Sequence, residues 1–284
     1  MNRISYTTFN GASVMRVPYL GRRLALLSDR EDLDPATVRE ILRALDVAAD
    51  FYAEVTGRDP KTNRMHEGRI TIAEVEGIGG AAWAWLGETG IEIQPAYLDV
   101  LHRGVRDGGV FDQPLFYELG RNWWFWTRSL DVDPGSVCTG YAVYMRFLAM
   151  DAAKVTGAPY QGWPFAEFRE TCLSLVDVFV PKTELKWEAL LATSPLPVHT
   201  FAGKGRNAIT LSTADLLASL FDRLCRAHGG IEFMRRFLLA AERQPDAHDA
   251  RAICENFLRA ASDAAGRDLR GDFAAWRWPA PGVA

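Results

Sequence analysis

The strongest constraint on this chain is a change of period near residue 95. Before it, apolar residues fall in short β-rich runs at residues 4–9, 13–19, 23–28, 69–75, 81–86 and 91–94, interrupted by one helical stripe. After it, almost every apolar residue recurs at helical spacing. Strands confined to one end of a chain and helices to the other predict an α+β fold, with a small mixed β-sheet in an N-terminal lobe and a helical C-terminal lobe. Local punctuation agrees. Asn10-Gly11 and Gly21 are turn residues between the first three runs. Asp34 and Pro35 open a helix whose stripe (Val38, Ile41, Leu42, Leu45, Ala48, Phe51, Tyr52) ends at Gly57. Gly87-Glu88-Thr89-Gly90 joins the last two runs into an edge hairpin.

Beyond that point Pro114 opens a helix through about Thr127, and residues 141–155 form another, stopped by Gly157 and Pro159. Further helices are expected at 165–179, 184–192, 213–228, 231–242 and 248–264. Ser212 and Asp215 read as a capping pair. Residues 193–207, with Pro195, Pro197 and Gly203-Lys204-Gly205, read as loop. Residues 1–130 and 131–284 are expected as the two lobes of one compact unit.

With 284 residues, 48% of them hydrophobic, the chain can bury a sizeable core. Its net charge of −4 is spread among interspersed acids and bases, so no basic stripe meets a nucleic acid or an anionic membrane. Residues 1–10 are polar, which predicts no secretory signal, and no apolar run approaches the roughly 20 residues of a membrane span. Cys138, Cys172, Cys225 and Cys254 are widely spaced and read as reduced, mostly buried thiols of a cytoplasmic protein. Ala- and Arg-rich usage fits a GC-rich bacterial genome.

The densest chemistry lies in Phe116-Tyr117-Glu118-Leu119-Gly120-Arg121-Asn122-Trp123-Trp124-Phe125-Trp126. On a helix Tyr117 and Arg121 share a face, with Glu118 one residue round. Four consecutive aromatics from Trp123 to Trp126 would point all round such a helix, the mark of a buried element, on which Glu118 and Arg121 form an internal ion pair. Burying both charges is costly, and apolar residues of similar volume usually stabilise as well or better. The pair therefore points to a polar cleft.

This segment resembles the H-E-x-x-H helix of the zincin metallopeptidases, in its gluzincin-like form. There, two imidazoles on one helical face bind zinc beside a general-base glutamate. Tyr117 stands at the first histidine position and Arg121 at the second, Glu118 keeps the glutamate, and Gly120-Arg121-Asn122-Trp123 mirrors a G-H-N-W ending. The order of elements over residues 35–155 is also similar: helix, strands, an edge strand bordering the substrate cleft, then the motif helix. The resemblance implies a zincin-like fold with its cleft between that helix and the hairpin at residues 81–94. The third gluzincin ligand, a glutamate on the next helix, has no counterpart in Thr139-Gly140-Tyr141-Ala142-Val143-Tyr144-Met145. No metal and no cofactor are therefore expected. His66, His102, His199, His228 and His248 are scattered, and an arginine would place a permanent cation where the metal sits.

The leading expectation is a metal-independent enzyme on a repurposed zincin fold, performing hydrolysis, elimination or intramolecular displacement on a small molecule in biosynthesis. Glu118 is assigned as general acid or base. Arg121 orients it or binds an anionic group, and Tyr117 donates a hydrogen bond to developing charge. Trp83, Trp85, Trp124, Tyr141 and Tyr144 are expected to wall the pocket. One alternative is a non-catalytic pseudo-peptidase that binds a ligand or a protein partner in the same cleft. A further one is a metallopeptidase with unconventional ligands. Gly77-Ile78-Gly79-Gly80 matches no phosphate-loop pattern, Asp112 reads as help in capping the helix at Pro114, and Cys225 with His228 offers a nucleophile pair on spacing alone.

Overall fold

The computed structural model describes residues 2–30, 32–132, 135–192, 195–203 and 205–279. They form two compact units, each drawn from separate stretches of chain, where a single cut at residue 130 was expected. The first unit comprises Met1–Glu54, Arg58–Trp123 and Met145–Ala158, and the second Val55–Gly57, Trp124–Tyr144 and Pro159–Ala284.

Along the chain run β1 (Ile4–Thr7), β2 (Ser13–Leu20), β3 (Leu24–Ser28), α1 (Pro35–Thr56), β4 (Met65–His66), β5 (Arg69–Glu74), β6 (Ala82–Ala84), β7 (Ile91–Ile93), α2 (Pro95–Gly108), β8 (Val110–Phe111) and α3 (Pro114–Asn122). There follow α4 (Thr127–Leu130), α5 (Ser136–Ala153), β9 (Thr156–Gly157), α6 (Phe165–Leu173), α7 (Leu175–Phe179), α8 (Trp187–Leu191), β10 (Pro197–Phe201), β11 (Ile209–Ser212), α9 (Thr213–His228), α10 (Ile231–Glu242), α11 (Ala250–Ala265) and α12 (Arg270–Ala275). The class is α+β, as the change of period implies.

In the first unit the main sheet has the order β1-β2-β3-β5-β7-β6, with β4 against β5. β3–β5 and β5–β7 are parallel and the other pairs antiparallel, so the sheet is mixed. The central strands β3 and β5 are buried along nearly their whole length, which is why they read as apolar runs rather than strict alternation. The Tyr6 hydroxyl on β1 donates to Glu92 on β7 at 3.2 Å, so the sheet curls until these strands meet across one face. Asp34 caps α1 by accepting from the Thr37 N–H and hydroxyl, each at 2.7 Å. Midway along α1, the Asp46 carboxylate accepts from three consecutive backbone N–H groups, Arg22, Arg23 and Leu24, at 2.6, 2.8 and 3.0 Å. That clamp fixes the entry into β3.

The second unit packs around α9. The Ser212–Asp215 capping box opens this helix, and Gly229 closes it in the left-handed conformation. Phe221 of α9 meets Phe237 of α10 and Phe257 of α11 at ring-centroid distances of 5.6 and 5.3 Å, and Phe237 and Phe257 stand 4.9 Å apart. None of the four cysteines forms a disulfide, and all four are buried. Among the described residues no helix is long and apolar enough to cross a membrane.

Several boundaries differ from the sequence reading. α3 ends at Asn122 rather than near Thr127. Its last residues are claimed by side-chain bonds: Trp123 stacks on Tyr52 at 5.7 Å and donates its indole N–H to the Arg58 carbonyl at 3.0 Å. The expected helix at 165–179 breaks at Ser174, whose hydroxyl donates to the Thr171 carbonyl at 3.2 Å. The expected loop at 193–207 contains β10, paired antiparallel with β11. Thr193, Ser194 and Lys204 of that stretch lie outside the described residues.

Candidate functional site

α3 begins at Pro114, which supplies a preset φ at its first position, with Asp112 accepting the Gln113 N–H at 2.9 Å just before it. From behind, the Tyr52 hydroxyl of α1 donates to the Phe116 carbonyl at 2.7 Å. With the helix pinned on that side, the turn from Tyr117 to Arg121 is directed at β6. The backbone N–H of Ala84 donates to the Glu118 carboxylate. The geometry is that anticipated from the sequence, a motif helix facing the hairpin at residues 81–94.

Three side chains of that turn are mutually engaged. Glu118 Oε2 lies 3.6 Å from Arg121 Nε, and Arg121 Nη1 donates to Tyr117 Oη at 3.2 Å. The environments of the two charges are unequal. The Glu118 side chain is 8% exposed and its Oε2 has no hydrogen-bond partner, whereas the Arg121 side chain is 29% exposed and reaches water. Burial therefore dominates, and it pushes Glu118 up to about 8 against the opposing pull of Arg121 and the Ala84 N–H. A carboxyl in this state changes protonation near neutral pH, the condition for acid–base work.

Tyr117, Glu118 and Arg121 form one wall of a cavity of about 970 Å³. Trp83 and Trp85 of the edge strand and its extension line it, with the Phe9 ring tilted against Trp85 at a centroid distance of 5.3 Å. A glycine turn at residues 77–80 closes another side. Gly77 and Gly80 hold positive φ there, and the Gln94 amide donates to the Ile78 and Gly80 carbonyls at 2.5 and 2.6 Å. Two further carboxylates line the cavity. Glu88 bonds Lys61 at 3.0 Å and Asn63 at 2.8 Å. Glu92 accepts from the Phe9 N–H at 2.6 Å as well as from Tyr6, and burial raises its pKa.

Of the eight site residues anticipated, the structure brings five to this cavity: Tyr117, Glu118, Arg121, Trp83 and Trp85. Trp124, Tyr141 and Tyr144 do not line it; they are buried in the second unit. Trp124 packs on Tyr141 at 5.1 Å, and Tyr144 stacks on Phe221 at 6.2 Å. For Trp124 the reason is the early end of α3, which takes it off the helical face. Tyr141 and Tyr144 sit on the half of α5 that belongs to the second unit, where both rings serve as core. The Cys225–His228 pair is likewise no nucleophile pair, because burial pushes the Cys225 thiol up to about 12.

Phe9, Glu88, Glu92 and Asn122 belong to the site and carried no signal strong enough to single them out as such. The buried Asn122 amide donates to three carbonyls of the hairpin connection, Trp85 at 3.0 Å, Glu88 at 2.7 Å and Gly90 at 3.1 Å. The Gly87 N–H returns a bond to the Arg121 carbonyl at 3.2 Å. The end of α3 thereby holds the loop that carries Trp85 and Glu88. Among the described residues no three His, Cys, Asp or Glu side chains are grouped so as to hold a metal ion.

Fold and site together describe an α+β protein with a buried carboxyl in an aromatic cavity. No protein-family model and no curated protein matches the chain. Among solved structures, it is similar to a functionally unknown conserved protein from Bacillus anthracis str. Ames, with a TM-score of 0.56 and 11% identity over 93% of this chain. It is also similar to a functionally unknown conserved protein mutant from that strain, with a TM-score of 0.55 and 11% identity over 94% of this chain. The chain spans about half the length of these structures, 49% of each. At this identity the likeness is one of fold.

Proposed function

We propose that the cavity is the active site of a metal-independent enzyme on a zincin-like fold, using Glu118 for acid–base chemistry on a small molecule in the cytoplasm. The observation that carries the reading is Glu118 itself. It is a carboxyl buried in a cavity wall, with one oxygen lacking a hydrogen-bond partner, and it is raised to about 8. A group serving only architecture would gain from full satisfaction of both oxygens. Below pH 8 Glu118 carries a proton to deliver to a leaving group, and above it the carboxylate accepts one. The N–H that Arg121 donates to Tyr117 Oη polarises that hydroxyl as a donor toward developing negative charge. Hydrolysis, elimination and intramolecular displacement all suit this set.

The zincin-like part rests on the order α1, β5, β6–β7, α3 and on the packing of α3 against the edge strand β6. Tyr117 and Arg121 occupy the two ligand positions of the motif, which supports metal independence. The cytoplasmic assignment is supported by four cysteines that are buried and form no disulfide with one another.

The test is turnover of a panel of small activated esters, amides and β-leaving-group substrates by protein dialysed against a chelator, beside Glu118→Gln. The expected result is activity lowered by on the order of 10²–10⁴ in the variant. Equal turnover in both proteins contradicts the role given to Glu118 and favours the second reading, a binding protein. That reading is supported by the two indoles presented to the cavity from the edge strand.

A further inference from the structure

The aromatic wall and the charges around it restrict what the cavity admits. Trp83 lies on β6 and Trp85 just past its end, and both side chains line the cavity. They remain 55% and 42% exposed, unusual for indoles on a sheet edge. Trp83 is paired directly with Glu92 across the β6–β7 ladder, which places a carboxyl and an indole side by side on one face. Glu88 enters from the hairpin connection and Glu118 from α3, so three carboxyl groups and a single guanidinium line the cavity. Arg121 is already engaged by Glu118 and Tyr117. Lys61, which pairs with Glu88, is not part of the wall and its side chain is 78% exposed. The Glu118 Oε2, over nine-tenths buried in the same wall, adds a polar atom with no hydrogen-bond partner in the protein.

Electron-rich ring faces beside carboxyl groups make an environment for a positively charged nitrogen. The rings attract a cation through their quadrupole, the ionised Glu88 carboxylate stands beside them, and the oxygens of Glu92 and Glu118 add polar partners. An anionic ligand would face the Glu88 carboxylate, and a neutral one would gain only from apolar contact.

We propose that the cavity takes a small organic cation, an ammonium or quaternary ammonium group seated against Trp83 and Trp85 with Glu88 and Glu92 beside it. This names the substrate class for the reading given above and rests on that reading only in treating the cavity as a small-molecule site. The cationic head sits at the indoles, and the remainder of the ligand extends toward Tyr117 and Glu118.

Choline and its neutral isostere 3,3-dimethylbutan-1-ol differ in charge and hardly in shape, so they separate the electrostatic part of recognition from the apolar part. Each is titrated into the ¹⁵N-labelled full chain while the indole N–H signals are followed, with Trp83→Phe and Trp85→Phe identifying the two relevant ones. Choline is expected to shift both signals saturably and to bind at least about tenfold more tightly than the isostere. Glu88→Gln, at a side chain 31% exposed in the hairpin connection, is expected to shrink that ratio several-fold, and Glu92→Gln to shrink it further. Equal binding of the two probes overturns the proposal. So does an absence of saturable shifts at Trp83 and Trp85, or a preference unaffected by Glu88→Gln. Repeating the titration in Glu118→Gln keeps the two claims apart. Retained choline preference with lost turnover in the variant supports both, whereas a wild type that turns over in a Glu118-dependent way without preferring choline removes only the cation.

Discussion

Replacing Glu118 by glutamine separates the two contributions that compete at this site, desolvation of the carboxylate and its attraction to Arg121. An unfolded glutamate ionises near 4.5, and the folded Glu118 near 8. The folded state therefore keeps a proton that the unfolded chain releases. The associated stability is fully present below about pH 4.5 and is lost as pH rises through about 8. At 1.36 kcal/mol per pH unit, the gap between 4.5 and about 8 amounts to roughly 5 kcal/mol above pH 8, about 3 at pH 7 and under about 1 at pH 5. Glutamine preserves volume, stays neutral and keeps an oxygen for the Ala84 N–H, so it avoids this loss. Arg121 is not stranded by the change, since its side chain reaches solvent and still bonds Tyr117. Thermal melting of wild type and Glu118→Gln at pH 5, 7 and 9 should show nearly equal midpoints at pH 5. At pH 9 the variant should melt higher by on the order of 10 °C, taking about 2 °C per kcal/mol for a chain of this size. A variant that melts below wild type at pH 9, by a margin that grows with pH, would mean that the ion pair outweighs burial, and the reasoning fails.

Three further outcomes follow from specific contacts. Asn122→Ala removes the donor shared by the Trp85, Glu88 and Gly90 carbonyls and should cost about 3 kcal/mol in denaturant unfolding, with changed emission from Trp85. Gly140→Ala in α5 drives a methyl into Leu217 Cβ and to 3.2 Å from the Ala214 carbonyl, so a loss of about 1–3 kcal/mol is expected by the same measurement. Elemental analysis after dialysis should find no stoichiometric zinc, and a chelator should leave the melting temperature unchanged; about one zinc per chain would overturn the metal-independent reading.

Much of the first unit was legible because its signals are local. Asp34-Pro35 starts α1, Asn10-Gly11 turns between β1 and β2, and the Gly87–Gly90 connection makes the β6–β7 hairpin. These are backbone preferences that a few adjacent residues decide. The pairing of Glu118 with Arg121 was legible for the same reason, since helical spacing alone brings them together. What escaped the sequence depends on partners far along the chain. Glu92 lies 86 residues from Tyr6, and Asn122 more than 30 from the carbonyls it holds. Trp124 was misplaced because an aromatic run looks helical until a distant contact, such as Trp123 with Arg58, ends the helix. The β10–β11 hairpin was hidden by Pro195, Pro197 and the glycines near residue 204, although Val198, Ile209 and Leu211 are buried. Turn residues mark where a chain reverses and say little about whether the flanks pair.

The account stands on one ionisation. Carboxyl ¹³C chemical shifts of Glu118, assigned by their absence in Glu118→Gln and followed from pH 4 to 10 in the ligand-free protein, report it without any substrate. The result expected is a single transition near pH 8. A Glu118 carboxyl already ionised at pH 5 would contradict the account, because a carboxylate so placed could neither deliver a proton at neutral pH nor be the dominant cost of the cavity it lines.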